Sequence, residues 1–314
     1  MEAVATTLIN GVLSIKPLAD FAKNRARNMM IKRAESIGVH WPDEVKQLRS
    51  RNSDTEFNTI WEEELAAIAT PNLAYPDYYL TSFHAYEEGN LGWLPAMEVE
   101  SAARAVHARL WPEGDARGDI RLRQTYHDVL KAKLPTAPQT IIELGCSVGL
   151  DTFYLQATYP DAQITGVDLS PYFLAVAQYR QKNLPFPLPP SPLPIQWLHA
   201  PAEATGLPAE SADLVSACLM FHELPQSAAI AVLKEAARLV KPGGHFAIMD
   251  MNPQSEVYVK MPPYILTLLK STEPYLDQYF ALDIEQALQA AGFEAPSVTF
   301  NTVRHRTILA RKTG

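Results

Sequence analysis

Residues 141–149 read Ile-Ile-Glu-Leu-Gly-Cys-Ser-Val-Gly, an apolar run that ends in a carboxylate and then turns through two glycines. Glycine lets a backbone approach a ligand closely and adopt conformations that other residues resist. A helix beginning beyond such a turn offers unpaired N–H groups to a polar or anionic ligand. By itself the turn is also compatible with a mere tight connection. Nineteen residues beyond Gly149, Asp168 closes a second apolar run. A carboxylate at the end of the second strand of a Rossmann-like unit accepts ribose hydroxyls, although an Asp there can also simply cap the helix starting at Pro171. The pair suits either a dinucleotide or S-adenosylmethionine. His222-Glu223 is a third chemical feature, following Leu219-Met220-Phe221. An imidazole there can take a proton from a phenol, an enol or a carbon acid; the alternative is a His bonded to backbone, with Glu223 in the first turn of a helix.

The elements that must position these residues differ between the two parts of the chain. Up to about Lys133 the periodicity is helical, with helices expected at Ala3–Lys16, Pro17–Ile37, Pro42–Arg51, Asp54–Ile68, Ala96–Leu110 and Asp119–Leu134. Between them, residues 71–95 are irregular and aromatic. From Thr140 onward short apolar strands alternate with helices, the pattern of a parallel sheet covered on both faces. Strands are expected at Thr140–Leu144, Gln163–Asp168, Ile195–His199, Asp213–Met220 and His245–Asp250. The helices between them are expected at Leu150–Ala157, Pro171–Lys182 and Gln226–Val240. Lys241-Pro242-Gly243-Gly244 stops the last of these. After a helix at Asp283–Ala291, two runs, Ser297–Val303 and Arg306–Arg311, are too close for a crossover and must pair antiparallel. Residues 184–194 hold six prolines and read as a stiff extended connector. This implies a helical region over residues 1–120 and an α/β, Rossmann-like domain over residues 121–314.

From about Arg121 to Lys312 the chain resembles the class I S-adenosylmethionine-dependent methyltransferases. Glu143-Leu144-Gly145-Cys146-Ser147-Val148-Gly149 looks like their first motif, with Ser147 at its middle glycine, and Asp168 matches the ribose-binding acid. Pro201-Ala202-Glu203 and Gly206-Leu207-Pro208 resemble the segment beside the adenine, with Pro201 where an Asp often stands. Leu239-Val240-Lys241-Pro242-Gly243-Gly244 resembles the turn before the fifth strand. The antiparallel last strand also fits, and it argues against a nicotinamide oxidoreductase. The resemblance implies a cofactor site in which Glu143, Gly145, Ser147 and Gly149 hold the methionyl end and Asp168 and Leu169 the ribose. Ala202 and Glu203 would meet the adenine, with Leu219 alongside. It makes His222 and Glu223 the catalytic candidates. The motif style is closest to the ubiquinone/menaquinone and sterol C-methyltransferase type, so the implied acceptor is a small apolar or aromatic molecule, a quinol or phenol, methylated on carbon or oxygen. Methylation of a protein or RNA, or S-adenosylmethionine binding without transfer, are the alternatives.

Composition narrows the partners. The formal charge of −8 over 314 residues disfavours nucleic acid, and the fourth strand lacks the Asn/Asp-Pro-Pro-Tyr/Phe exit of enzymes that methylate base amino groups. DNA is excluded as an expectation and RNA disfavoured. Two cysteines, Cys146 and Cys218, imply no disulfide framework. The eight histidines are scattered, so no metal site is evident. No convincing signal peptide or long apolar span is present, and a cytoplasmic protein is expected. Residues 1–40 carry six basic against three acidic side chains. They are expected to pack on the domain or on a second subunit, or to rest on an anionic membrane surface. Large apolar residues crowd residues 251–282, and with the stretch from Tyr75 to Trp93 they suggest either an acceptor pocket or a seam that joins the helical part to the sheet. Tyr86, Phe221, Tyr258 and Tyr264 are the pocket's candidate lining.

Overall fold

The computed structural model describes residues 16–84, 86–183 and 193–314, without the side chains of residues 16–24, 26, 264 and 268. Most of the expected first helix and residues 184–192 of the Pro-rich connector lie outside the described residues.

A seven-stranded sheet carries the second part of the chain, in the order β3-β2-β1-β4-β5-β7-β6. Strands β1 (Thr140–Leu144), β2 (Gln163–Asp168), β3 (Gln196–His199), β4 (Ala212–Cys218) and β5 (Val240–Met251) are mutually parallel. β7 (His305–Arg311) runs antiparallel between β5 and β6 (Ser297–Phe300). Side chains along each strand alternate between two cores, as the two-residue period of a strand requires. Ile142, Leu144, Val215, Ala217, Phe246 and Ile248 face the helices α8 (Gln226–Leu239), α11 (Leu276–Ala281) and α12 (Ile284–Ala290). Ile141, Leu214, Cys218, Ala247 and Met249 face α5 (Gly118–Lys133) and α6 (Leu150–Thr158). Both faces are therefore apolar, which explains why the strands read as nearly continuous hydrophobic runs.

The Pro-Gly-Gly turn does not end before the fifth strand as expected. Its residues lie inside β5, where the pairing with β4 shifts between Ala212 and Leu214 and Gly243 takes up φ +76°. The turn is a bulge in a longer strand.

In the first part of the chain, α1 (Lys16–Ser36), α2 (Trp41–Ser50), α3 (Ile60–Ile68) and α4 (Trp93–His107) assemble without a sheet. α3 starts six residues later than expected, because the Asn58 side chain accepts the Ile60 N–H at 3.0 Å and Trp61, fully buried, anchors the first turn. α4 starts three residues early; Pro95 fits its first turn, where no N–H partner is needed. These helices do not form a separate core. Trp41, Trp61, Ala96 and Met97 pack with Phe173 and Val176 of α7 (Pro171–Lys182) and with Val148 from the glycine turn. Among the described residues no helix is long and apolar enough to cross a membrane.

Candidate cofactor and acceptor site

The carboxyl ends of β1, β2 and β4 meet at one edge of the sheet, where ligands bind in open α/β folds. Beyond β1 the backbone adopts positive φ three times in five residues, at Gly145 (+67°), Ser147 (+52°) and Gly149 (+81°). A Cβ at Gly145 would overlap the Met220 sulfur, so glycine is required there. Ser147 is a non-glycine residue in the left-handed region, which costs roughly 1–2 kcal/mol. Its N–H donates to Asp168 Oδ2 at 2.7 Å, and its buried hydroxyl has no hydrogen-bond partner.

Asp168 also accepts the Ser170 N–H at 2.8 Å and is nearly fully buried. Burial pushes its carboxyl up to about 6, with the two N–H bonds opposing the rise and Glu223 adding to it. Glu143 is buried too, and accepts the Thr152 hydroxyl. Burial and the nearby Asp151 push Glu143 well above the usual carboxylate range. Beneath it Arg123 reaches Asp119 at 2.9 Å and Asp151 at 3.7 Å, and His127 meets Asp151 at 3.1 Å. The sequence reading missed this buried ionic layer, because Arg123 and His127 look like ordinary residues of an amphipathic helix.

Beyond β3, Glu203 Oε1 accepts the Tyr78 hydroxyl at 2.8 Å, while its Oε2 is buried without a partner. Ala202 is partly buried beside the core, and Leu169 is buried. His199 Nδ1 accepts the Thr70 N–H at 2.8 Å and Nε2 lies 3.2 Å from the Tyr75 hydroxyl. The aromatic stretch thus covers the cleft at the exit of β3. The unsatisfied Ser147 Oγ and Glu203 Oε2 suit a polar, adenosine-bearing cofactor at this edge.

At the other end, Leu219 leaves β4 with φ +58° and its N–H donates to Met249 O at 2.7 Å. The chain turns so that His222 meets Asp250 of β5, its Nδ1 2.8 Å from Asp250 Oδ1 and its N–H donating to Oδ2 at 3.2 Å. Parallel pairing of Cys218 with Met249 brings the two residues level. Asp250 is almost completely buried. Burial lowers the His222 pKa, but Asp250 above all, with Glu273 and Glu223, outweighs it and brings the value to about 10. Glu223 approaches Asn90 Nδ2 at 3.4 Å and His84 Nε2 at 3.5 Å. His84 Nε2 also lies 3.1 Å from Glu273 Oε1. Burial is likewise outweighed at His84, chiefly by Glu273 and Glu223, with a pKa of about 9.

His222, Glu223, Asp168 and the glycine turn therefore converge, while the expected acceptor residues fare unevenly. Phe221 is fully buried and packs on Phe246 with ring centroids 6.2 Å apart, so it belongs to the core rather than to the open face. Tyr258 is buried against Phe280. The Tyr86 hydroxyl is committed to Glu98 at 2.6 Å, in a group with Arg27; it braces the loop that carries His84. Tyr264 lies on α10 (Pro263–Lys270), and its side chain is outside the described ones. The residues that the sequence did not single out are His84, Asp250 and Glu273, which no local spacing connects.

Comparison with known proteins agrees with this geometry. Residues 142–248 match a family model described as a methyltransferase domain. A trans-aconitate 2-methyltransferase of Methylobacterium radiotolerans is 33% identical over 120 residues, 38% of this chain and 41% of that protein. A ubiquinone biosynthesis O-methyltransferase of Albidiferax ferrireducens is 32% identical over 172 residues, 53% of this chain and 65% of that protein. The chain thus spans about two fifths of the first relative and under two thirds of the second. Human N-acetylserotonin methyltransferase, solved in complex with S-adenosylmethionine, shares the fold with a TM-score of 0.51 at 16% identity, over 86% of this chain and 71% of that one. With the reversed β7 at the end of a parallel sheet and the glycine turn after β1, residues 142–248 and the sheet around them form a class I, S-adenosylmethionine-dependent methyltransferase domain.

Proposed function

We propose that the whole protein transfers a methyl group to an oxygen or carbon of a small apolar or aromatic acceptor, a quinol or phenol, whose oxygen His222 holds and polarises while Glu223 takes its proton. The observation that supports this most is the His222–Asp250 pair at the joint exit of β4 and β5, roofed by residues of the aromatic stretch. S-adenosylmethionine, when bound, supplies an electrophilic methyl on a sulfonium leaving group. Glu143, Ser147, Asp168 and Glu203 bind and orient the cofactor, and the roof excludes water, so alignment carries much of the rate. Asp250 fixes the ring of His222 so that Nε2 faces the acceptor, and Glu223 stands beside it to receive or pass a proton.

The ubiquinone biosynthesis O-methyltransferase relative supports this acceptor class. Incubating the full chain with methyl-labelled S-adenosylmethionine and separate panels of catechols and quinols, polycarboxylates, and RNA tests the reading. Label is expected in the phenolic panel, with at least a hundredfold loss in His222→Ala and unchanged S-adenosylhomocysteine affinity. Labelling confined to polycarboxylates or RNA, or an undiminished His222→Ala rate, overturns it.

A further inference from the structure

We propose that His84, His222 and Glu273 form a site for a divalent cation of the zinc type at the acceptor end of the cleft. The ligand atoms of all three lie within 4.8 Å of one another. His84 Nε2 and Glu273 Oε1 are already 3.1 Å apart. Metal–ligand bonds of about 2.0–2.2 Å in a tetrahedron hold neighbouring ligands roughly 3.3–3.6 Å apart, so the cluster needs only side-chain adjustment.

Four further observations point the same way. First, His222 has its Nδ1 engaged by the buried Asp250, which leaves Nε2 as its ligand atom; a carboxylate behind a histidine is the usual outer support of a metal-bound imidazole. Second, His84 sits at φ +47°, an uncommon conformation for a residue with a side chain. Its N–H donates to Thr272 O at 3.0 Å, so the backbones carrying His84 and Glu273 are tied together. Third, Glu273 Oε2 is buried without a hydrogen-bond partner, a deficit that costs about 1–3 kcal/mol in a protein interior and that a cation would remove. Fourth, the side chains of His84 and His222 are 35% and 13% exposed, so the cluster opens on one side toward the cleft. Three protein ligands with an open position is the arrangement of a catalytic rather than a structural metal. Two imidazoles and one carboxylate favour a borderline first-row ion over Mg²⁺ or Ca²⁺, which prefer oxygen throughout.

The use of the ion rests on the methyl-transfer reading above. An acceptor hydroxyl would take the open position, and its proton would pass to Glu223 and on to water. The oxygen lone pair would then form the O–CH3 bond as the S–CH3 bond breaks, with the bonding pair going to sulfur. A cation at this point stabilises the oxyanion directly.

The competing account is that both imidazoles are protonated partners of Glu223, Glu273 and Asp250, with no affinity for metal. Full-length protein stripped with a chelator and titrated with Co²⁺ distinguishes the two. One equivalent of Co²⁺ is expected to produce visible d–d absorption of a four- or five-coordinate site, displaced by Zn²⁺ and untouched by excess Mg²⁺. His84→Ala and Glu273→Gln are each expected to weaken Co²⁺ binding at least tenfold, while S-adenosylhomocysteine affinity, measured in parallel, stays within about twofold. Absence of saturable absorption in wild type that binds S-adenosylhomocysteine, or Co²⁺ binding indifferent to both variants, overturns the metal site alone. Co²⁺ bound through these residues in a protein that does not bind S-adenosylhomocysteine supports the site and removes the methyl-transfer reading instead.

Discussion

Ser147 and Asp168 are the single positions on which the proposed cofactor site makes its sharpest predictions. Ser147 carries a side chain at φ +52° and leaves its hydroxyl unpaired, so Ser147→Gly is expected to raise stability by about 1 kcal/mol, or about 2–4 °C in melting temperature. Thermal melts with and without S-adenosylhomocysteine test this; a lower melting temperature in the ligand-free variant contradicts the strain. Asp168, whose carboxyl stands at about 6, must be ionised to accept two ribose hydroxyls. S-adenosylhomocysteine affinity is therefore expected to be full near pH 8 and to fall tenfold per unit well below pH 6. Calorimetric titration across that range checks it, and a flat profile down to pH 5 rules Asp168 out as the ribose acceptor.

At the scale of elements, β7 brings a second titration. His305, on this strand between β5 and β6, is buried beside His107, and burial foremost, then His107, pulls its pKa down from 6.5 to about 3. Its neutral ring is retained in the fold while the unfolded chain takes a proton. The stability this lends is present above pH 6.5 and is lost as pH falls from 6.5 toward 3. His305→Gln is expected to be less stable at pH 7.5 and to show a shallower decline in denaturation midpoint between pH 6.5 and 4. Parallel declines in the two proteins would remove His305 from the account. The elements that carry this histidine, and those that carry the glycine turn, were legible in the sequence, because alternating apolar runs with helical connectors allow few other folds. Helix starts at Ile60 and Trp93 were less so: a side-chain bond from Asn58 and a tolerated Pro95 decided them.

Across the whole molecule, the helical part and the sheet share a core. Trp61 packs 5.0 Å from Tyr179 of α7, and Arg51 lies over both rings, 3.7 and 4.6 Å from their centroids. His84 and Asn90, both ahead of the sheet in sequence, reach Glu223. A single calorimetric unfolding transition is expected. Residues 116–314 expressed alone, which keep α5 but lack α1–α4, are expected to lack S-adenosylhomocysteine binding and to aggregate, since Phe173, Val176 and Val148 lose their cover. A soluble, ligand-binding fragment would show instead that the helical part is a detachable accessory.

The sequence by itself determined the sheet, its reversed strand and the glycine turn, because these depend on local period and on residues adjacent in the chain. It named His222 and Glu223 for the same reason, lying as they do at a strand exit. Only the tertiary structure decided what surrounds them. Asp250 reaches His222 through strand register, His84 arrives on a left-handed loop 138 positions earlier, and Glu273 comes from the insert before the last strands. It also moved Phe221 and Tyr258 from an expected pocket into the core, since an aromatic side chain reads the same in sequence whether it faces a ligand or another ring.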